Sequence, residues 1–434
     1  MTQIRVNAGG GYDVVIGEGI DFGGALKERL KKVRKIALIS DRTVFGLYGA
    51  RVVKSLESAG FEVFSHTFTG GENSKNSAEY FKILEFLAEA KLTRSDAAAA
   101  LGGGVTGDLA GFAAATYLRG INLVQIPTTL LAAVDSSVGG KTGINLSTGK
   151  NLAGAFHQPR AVLCDIGFLK TLSEDLIADG MGEIVKHAIL KGGELLDELE
   201  KNNENNRNYD GFEENNDSAR HSGVLKNNNG NTENYDGFEE NKDSARHSGG
   251  LKNNNGNTEN YDGFEENNDS TGHGGGSEKK NETGKNAYGG YNWEKIIALS
   301  VAVKAEIVEA DEKEQNVRRL LNLGHTIGHA VEKLSGYQIR HGKCVSIGLL
   351  YIAALSREKG FLSGGEYERI LKLLSKNRLD IPCPYGIDEM SEVILSDKKM
   401  SGAMLGAVVI RGIGRCAVEE IPAKEIRNFL RIGG

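Results

Sequence analysis

Over roughly its first 172 residues the chain alternates short apolar runs with helix-period segments, and this alternation constrains its fold more than any single motif. The runs KIALIS, FEVFSHTF and AAAALGGG are separated by helical patterns over about residues 47–59 and 77–90, and INLVQIP and RAVLCDI add two more runs. Apolar strands that each return through a helix need a sheet covered on both faces, so a parallel α/β sheet is expected. From Leu172 onward the strand signal fades. Helical periodicity then holds over residues 174–200, 293–311, 318–334, 344–359 and 365–376. The expectation is an α/β domain over residues 1–172 and a mainly helical domain over residues 173–434.

Residues 202–290 interrupt the second domain with sequence of another kind. NYDGFEEN recurs there with tyrosines at 209, 235 and 261, a repeat of about 26 residues, and Val224, Leu225 and Leu251 are its aliphatic residues beyond alanine. So few core formers cannot offset an ordering cost of about 1–2 kcal/mol per residue, so the tract is expected to be a disordered loop. His221, His247 and His273 recur within it as a weak metal-binding candidate. Loop closure entropy grows only logarithmically with length, so a folded core can carry the insertion.

Bulk properties exclude several classes. A net charge of −6 argues against nucleic acid as the main partner. No apolar run reaches the roughly 18 residues a membrane span needs, and the amino terminus lacks a signal-peptide pattern, so a cytoplasmic protein is expected. Cys164, Cys344, Cys383 and Cys416 lack a CxxC spacing and read as reduced core thiols.

Chemistry concentrates in two places. In RRLLNLGHTIGHAVE, Arg318, Asn322, His325 and His329 fall on one stripe of a helix, opposite Leu320, Leu321, Leu323, Ile327 and Val331. Such a stripe faces either water or a site. A third imidazole, His341, follows in HGKCVSIG, where Gly342 suggests a backbone held close to something. Upstream, in ADGMGEIVKHAIL, Glu183 opens an apolar-periodic stretch with Lys186 three residues on. Burying that carboxylate would cost several kcal/mol unless a cation or metal compensates, and imidazoles with a carboxylate suit a divalent metal.

The second place is the glycine turn of AAAALGGGVTGDLAGFAAA, through Gly102, Gly103, Gly104 and Gly107, which joins a strand to a helix and could present backbone N–H groups to a pyrophosphate. Its spacing is not GxGxxG, and tight strand-to-helix packing alone can demand such glycines. Beyond it, IPTTLLAAVDSSVGGKTGINLSTGKN supplies Thr128, Thr129, Asp135, Lys141, Lys150 and Asn151, groups that suit phosphate or carboxylate binding or a solvated loop.

GGGVTGDLAGFAAATYLRG, IPTTLLAAVDSSVGGKTGINLSTGKNLAGAFHQP, CDIGFLKTL, GMGEIVKHAI, RRLLNLGHTIGHAVE and HGKCVSIG occur here in that order, and with them the chain resembles the 3-dehydroquinate synthase family outside the insertion. The resemblance implies a Rossmann-like NAD-binding domain, a helical metal-binding domain, and cyclisation of 3-deoxy-D-arabino-heptulosonate 7-phosphate between them. Metal ligands, for zinc or cobalt, would be Glu183, His325 and His341. NAD would contact Asp41, Gly70, Gly71, Glu72, Asn73, Ser74 and Lys75, then Gly103, Gly104, Val105, Thr106, Gly107 and Asp108. Thr128, Thr129, Lys141, Lys150, Phe168, Leu169, Lys170 and Thr171 would complete that contact. Substrate carboxylate and phosphate would fall to Arg119, Asp135, Lys141, Lys150, Asn151, Lys186, Lys304, Arg318, Asn322 and Lys398, with His329 handling a proton.

The resemblance also implies a shikimate-pathway lyase, a homodimer, and NAD that is used and regenerated within each turnover. Departures are TLSEDL, where the family usually carries a proline-containing step, and Gly182 beside Glu183, where alanine is common. Rival readings are another sugar phosphate cyclase, a metal-dependent polyol dehydrogenase, and a scaffold whose repeats are the functional part.

Overall fold

The chain opens with an antiparallel hairpin, β1 (Thr2–Val6) and β2 (Tyr12–Gly17), turned through Gly9, Gly10 and Gly11, all at positive φ. There follow α1 (Phe22–Arg29), β3 (Lys35–Asp41), the one-turn α2 (Arg42–Val44), α3 (Ala50–Ser58), β4 (Glu62–Phe68) and α4 (Ser77–Glu89). Next come β5 (Ala97–Gly102), α5 (Gly104–Thr116), β6 (Asn122–Pro127), the hairpin β7 (Lys141–Leu146) and β8 (Gly149–Phe156), and β9 (Ala161–Asp165). Seven strands form one sheet in the order β1-β2-β9-β6-β5-β3-β4, in which β1 pairs β2 antiparallel and the other pairings are parallel. This computed structural model describes residues 1–204, 288, 290–396, 400–401 and 404–433, which belong to one unit. Most of the repeat tract, with His221, His247 and His273, and also Lys398, lies outside the described residues.

Strand alternation explains the two layers of helix. Ile36 and Leu38 of β3 pack with Val52 and Leu56 of α3, whereas Ala37 and Ile39 face Ile83 and Leu87 of α4. The alanines of β5 divide in the same way between the two faces. All of β5 is buried, as the centre of a parallel sheet requires.

The second half contains α6 (Glu174–Lys191), α7 (Gly193–Glu204), α8 (Trp293–Ala310), α9 (His325–Leu334), α10 (His341–Glu358), α11 (Gly364–Lys376) and α12 (Ile387–Ser396). It ends in a three-stranded antiparallel sheet, β10 (Met400–Ser401), β11 (Met404–Ile410) and β12 (Cys416–Pro422), and α13 (Ile426–Gly433). Every residue of α6 from Ile177 to Leu190 is buried, so this helix has no solvent face, and α7, α8 and α10 pack against it. Ser173 caps it, its hydroxyl accepting from the Leu176 N–H at 3.3 Å, so TLSEDL starts the helix without a proline. Among the described residues no helix is long and apolar enough to cross a membrane. All four cysteines are free.

Several expectations are corrected. The helix over residues 318–334 is two pieces, a 3₁₀ segment at Val317–Asn322 and then α9, separated by Gly324 at φ 78°. The break brings the backbone onto α10, where a Cβ at Gly324 would stand 2.8 Å from the Val345 carbonyl oxygen. Arg318 and Asn322 therefore do not share a helix with the histidines. The segment 174–200 likewise divides at Gly192, φ 63°. Glu183 lies in the middle of α6 and opens nothing. The β1–β2 hairpin, β7–β8 and the sheet β10–β12 were not foreseen, because their strands are short, polar on one side or separated by glycine.

Asp96, buried at the entrance to β5, ties the sheet edge together. Its carboxylate accepts from the backbone N–H groups of Thr93 (2.8 Å), Lys35 (2.9 Å) and Arg34 (3.3 Å) and from the Thr93 hydroxyl (2.7 Å). Burial pushes this carboxyl up, but the donors together outweigh it and hold the pKa below the usual value. A depressed folded pKa adds stability above the unfolded value of about 3.9, and that stability is lost as pH falls through the folded value. Asp96→Ala is expected to cost about 1.5–3 kcal/mol in urea unfolding at neutral pH. The gap between variant and parent should narrow below about pH 4.

Candidate active site

Glycine brings α6, α9 and α10 into backbone contact. A Cβ on Gly342 would stand 1.8 Å from the Asp179 carbonyl oxygen, one on Gly182 would stand 2.2 Å from the Gly342 carbonyl oxygen, and one on Gly348 1.9 Å from that of Gly324. No side chain fits at such separations. Gly182 precedes Glu183, Gly324 precedes His325, and Gly342 follows His341, so the points of closest approach are also the points from which the three candidate ligands project.

Glu183 Oε1 lies 3.5 Å from His325 Nε2 and 3.4 Å from His341 Nε2, and one donor atom from each residue falls within 4.8 Å of the other two. The other nitrogen of His325, Nδ1, faces the Leu323 carbonyl at 3.1 Å, which leaves Nε2 for the centre. Glu183 is wholly buried and neither of its oxygens makes a well-directed hydrogen bond, although Oε2 is ion-paired with Lys186 one turn along the helix. Burial would push the Glu183 carboxyl up, but the Lys186 ammonium, followed by the two imidazoles, holds it well below the usual range. Burial and then Lys186 press His325 well below its ordinary value, so its imidazole is neutral. A buried carboxylate without directed donors, facing two imidazole nitrogens, fits a divalent cation.

Two other groups of acids and imidazoles lie nearby, Asp135 with Glu183 and His187, and His329 with Glu332 and His341. In the first, ammonium groups already serve the carboxylates. Lys304 Nζ is 2.6 Å from Asp135 Oδ1, and Lys186 occupies Glu183. Burial raises the Asp135 carboxyl, yet Lys304 overrides it and holds the group far below its usual value.

A buried cationic wall surrounds this centre. Lys186, Lys304 and Arg318 are each no more than 5% exposed. Arg318 donates from Nη2 to the Gly139 carbonyl at 3.0 Å, while its Nε has no partner. Asn322 donates to Glu314 Oε1 at 2.8 Å, and Lys141 is ion-paired with the same carboxylate. Lys150 Nζ lies 2.9 Å from Glu332 Oε1 and over the Tyr337 ring. The ring of His329 lies 5.2 Å from that of His325 and 5.8 Å from that of His341.

The nucleotide candidates gather at the carboxyl edge of the parallel strands. Gly103 links β5 to α5 as the N-cap and offers no side-chain cap, which leaves first-turn N–H groups for an anion. Thr129 is packed against Gly103, and the buried hydroxyl of Thr128 has no partner. Lys75 is buried, ion-paired with Asp108, and 2.5 Å from Asn151 Oδ1, which joins the 70–75 turn to α5 and to the β7–β8 hairpin. Burial outweighs Lys75 at Asp108 and raises that carboxyl. Asp41 caps α2 at the end of β3, beside Gly70. Phe168 to Thr171 form a 3₁₀ turn whose Phe168 carbonyl accepts from the Tyr48 hydroxyl at 3.2 Å.

Two residues stand apart from these clusters. Arg119 is exposed past the carboxyl end of α5, the end opposite the glycine turn, at φ 65°. The Lys170 side chain is 69% exposed and ion-paired with Glu18. Conversely, His187, Glu314 and Glu332 adjoin the site without having been singled out. His187 is wholly buried, pressed down to about 3 first by burial and then by Lys186, with Nδ1 2.7 Å from the Ser300 hydroxyl. Its place inside an apolar run hid it. The spacing of Glu332 three residues after His329 could have revealed it; Glu314 left no signal.

The fold is shared with solved enzymes. It matches 2-deoxy-scyllo-inosose synthase complexed with carbaglucose-6-phosphate, NAD+ and Co2+ at TM-score 0.71 and 21% identity over 99% of both chains. It matches ValA (2-epi-5-epi-valiolone synthase) from Streptomyces hygroscopicus, with NAD+ and Zn2+ bound, at TM-score 0.71 and 23% identity over 97% of this chain and 96% of that one. An iron containing alcohol dehydrogenase has TM-score 0.55 at 15% identity, covering 97% of each chain. The fold is therefore the one these two synthases and the dehydrogenase share.

Sequence narrows it further. The 3-dehydroquinate synthase N-terminal family model matches residues 65–179 and the C-terminal one residues 278–400. 3-Dehydroquinate synthase of Streptococcus sanguinis is 34% identical over 97% of both chains, and that of Clostridium acetobutylicum is 34% identical over 97% of this chain and 96% of its own. The chain belongs to the 3-dehydroquinate synthase family.

Proposed function

We propose that the chain converts 3-deoxy-D-arabino-heptulosonate 7-phosphate to 3-dehydroquinate with release of phosphate, as a cytoplasmic homodimer serving the shikimate pathway. In this reading residues 1–172 hold NAD and residues 173–434 hold zinc or cobalt on Glu183, His325 and His341. The observation that carries it is the convergence of those three donors, Glu183 from α6 and the imidazoles from the distant α9 and α10, within 4.8 Å of one another. When bound, NAD supplies reversible hydride removal and the metal supplies Lewis-acid polarisation.

The remaining work falls to the chain's own groups. Lys186, Lys304 and Arg318 offer buried positive charge to the substrate's carboxylate and phosphate, where low dielectric makes each contact stronger than in water. Asp135 holds the Lys304 ammonium in place at 2.6 Å. Lys141 and Asn322 bind the anion from the hairpin and from the 3₁₀ segment, exchanging their shared partner Glu314 for it, and Lys150 and Asn151 add hairpin groups on the same side. Arg119 and Lys398 complete the substrate set, and His329 moves a proton at an imidazole nitrogen. The glycine turn Gly103–Asp108, with Asp41, residues 70–75, Thr128, Thr129 and residues 168–171, orients the dinucleotide.

The test is direct. The purified chain with the heptulosonate phosphate, catalytic NAD and zinc should release phosphate without net accumulation of NADH. Persistent NADH would identify a dehydrogenase and overturn the reading. Deleting residues 203–289 should leave phosphate release intact, since every side chain given a part in this reading lies outside that tract; loss of turnover with the fold preserved would give the repeats a direct part in the reaction.

A further inference from the structure

We propose that Glu332 is a positioning residue for His341, fixing its imidazole so that Nε2 faces Glu183 and His325, and that Lys150 holds Glu332 in that role. This inference rests on the metal reading above. His341 stands between two carboxylates: Nε2 is 3.4 Å from Glu183 Oε1, and Nδ1 is 3.4 Å from Glu332 Oε2. An imidazole that gives one nitrogen to a metal needs its proton on the other, and a carboxylate beside that second nitrogen fixes tautomer and ring direction at once. The wholly buried Glu183 faces His341 together with His325, whereas Glu332 projects from α9 on the outer side of the ring.

Glu332 is itself held. Its other oxygen, Oε1, is 2.9 Å from Lys150 Nζ, and Lys150 lies 3.8 Å from the centroid of the Tyr337 ring and 3.7 Å from Glu72. Lys150 belongs to the β7–β8 hairpin and Glu72 to the 70–75 turn, so the chain of contacts runs from the metal centre into the nucleotide-binding half. Tyr337, at φ 66°, follows α9 closely enough to close over this pair. The residues of the centre are thereby tied to those that would sense the dinucleotide.

Glu332→Gln keeps the size of the side chain and removes its charge. Zinc affinity, measured by chelator competition on the full chain, should fall about 10–100-fold, the usual cost of losing an outer-shell partner. In a His341→Ala background the same change should have no further effect, because Glu332 acts through that ring. The visible spectrum of the cobalt-loaded variant should also shift, which a merely structural role would not produce. Unchanged affinity and spectrum in Glu332→Gln would overturn the proposal.

If that variant does not fold, ¹⁵N-histidine NMR of the unaltered zinc-loaded chain still decides. Nδ1–H with Nε2 on the metal supports the proposal, and the opposite tautomer refutes it. Glu183→Gln separates the two readings. Loss of zinc there with none in Glu332→Gln defeats only this inference, whereas zinc retained in Glu183→Gln and lost in Glu332→Gln moves the ion to the His329 side and defeats the metal reading itself.

Discussion

Glu183→Gln and His325→Ala should each abolish tight zinc binding and, with it, phosphate release. A three-ligand catalytic site has no ligand to spare, so the loss should exceed the roughly 10–100-fold that an outer-shell partner costs. Far-ultraviolet circular dichroism should stay near that of the parent for both, because neither side chain packs the apolar core. They should differ in stability. Glu183→Gln leaves the Lys186 ammonium, 1% exposed, without its counter-ion, and a broken buried pair costs about 3–5 kcal/mol. His325→Ala removes an imidazole that is already neutral and should cost less. Equilibrium dialysis against zinc checks the first expectation and urea unfolding the second. Full zinc occupancy in either variant would strike that residue from the ligand set.

Gly342→Ala should be the most damaging change made without touching a charged or imidazole group. Its new methyl would lie 1.8 Å from the Asp179 carbonyl oxygen, a backbone atom that cannot rotate away. Overpacking usually costs about 1–3 kcal/mol, and backbone on both sides of the contact places this case at or above the upper end. Because Gly342 adjoins His341, α10 cannot move without carrying a ligand, so metal affinity should fall together with stability. Gly365→Ala in α11 is the control. No atom lies within 4 Å of its added methyl, and stability should hold or rise by up to about 1 kcal/mol. Thermal unfolding of the two variants side by side reads the difference, and equal stability would mean that glycine contact does not set the helix spacing.

Much of this arrangement is legible in the amino-acid sequence. Continuous apolar runs such as KIALIS and AAAALGGG announce buried parallel strands, because a strand covered on both faces has no polar side to show. Glu183 among Met181, Ile184 and Val185 announces a carboxylate in need of a cation, and Gly342 beside His341 announces close backbone approach. The stripe from Arg318 to His329 misled in its geometry: a 3.6-residue period survives across Gly324, but the left-handed turn there swings the two halves apart. Arg319 and Glu420 show the same limit, since an ion pair between the 3₁₀ segment and β12 leaves no mark in sequence spacing. Glu314 was invisible for that reason too. Its role comes from a loop at φ 58° that presents a carboxylate to both Lys141 and Asn322. Gly182, read as a departure from the family pattern, is explained by the 2.2 Å approach of its would-be Cβ to α10.

The central claim is that one divalent ion binds where α6, α9 and α10 meet through glycine. Crystals of the full chain grown with zinc, measured across the zinc absorption edge, test it most directly. An anomalous peak about 2.0–2.2 Å from a Glu183 oxygen and from Nε2 of both His325 and His341 is the predicted result. A peak among His329, Glu332 and His341, or none near Glu183, would contradict it.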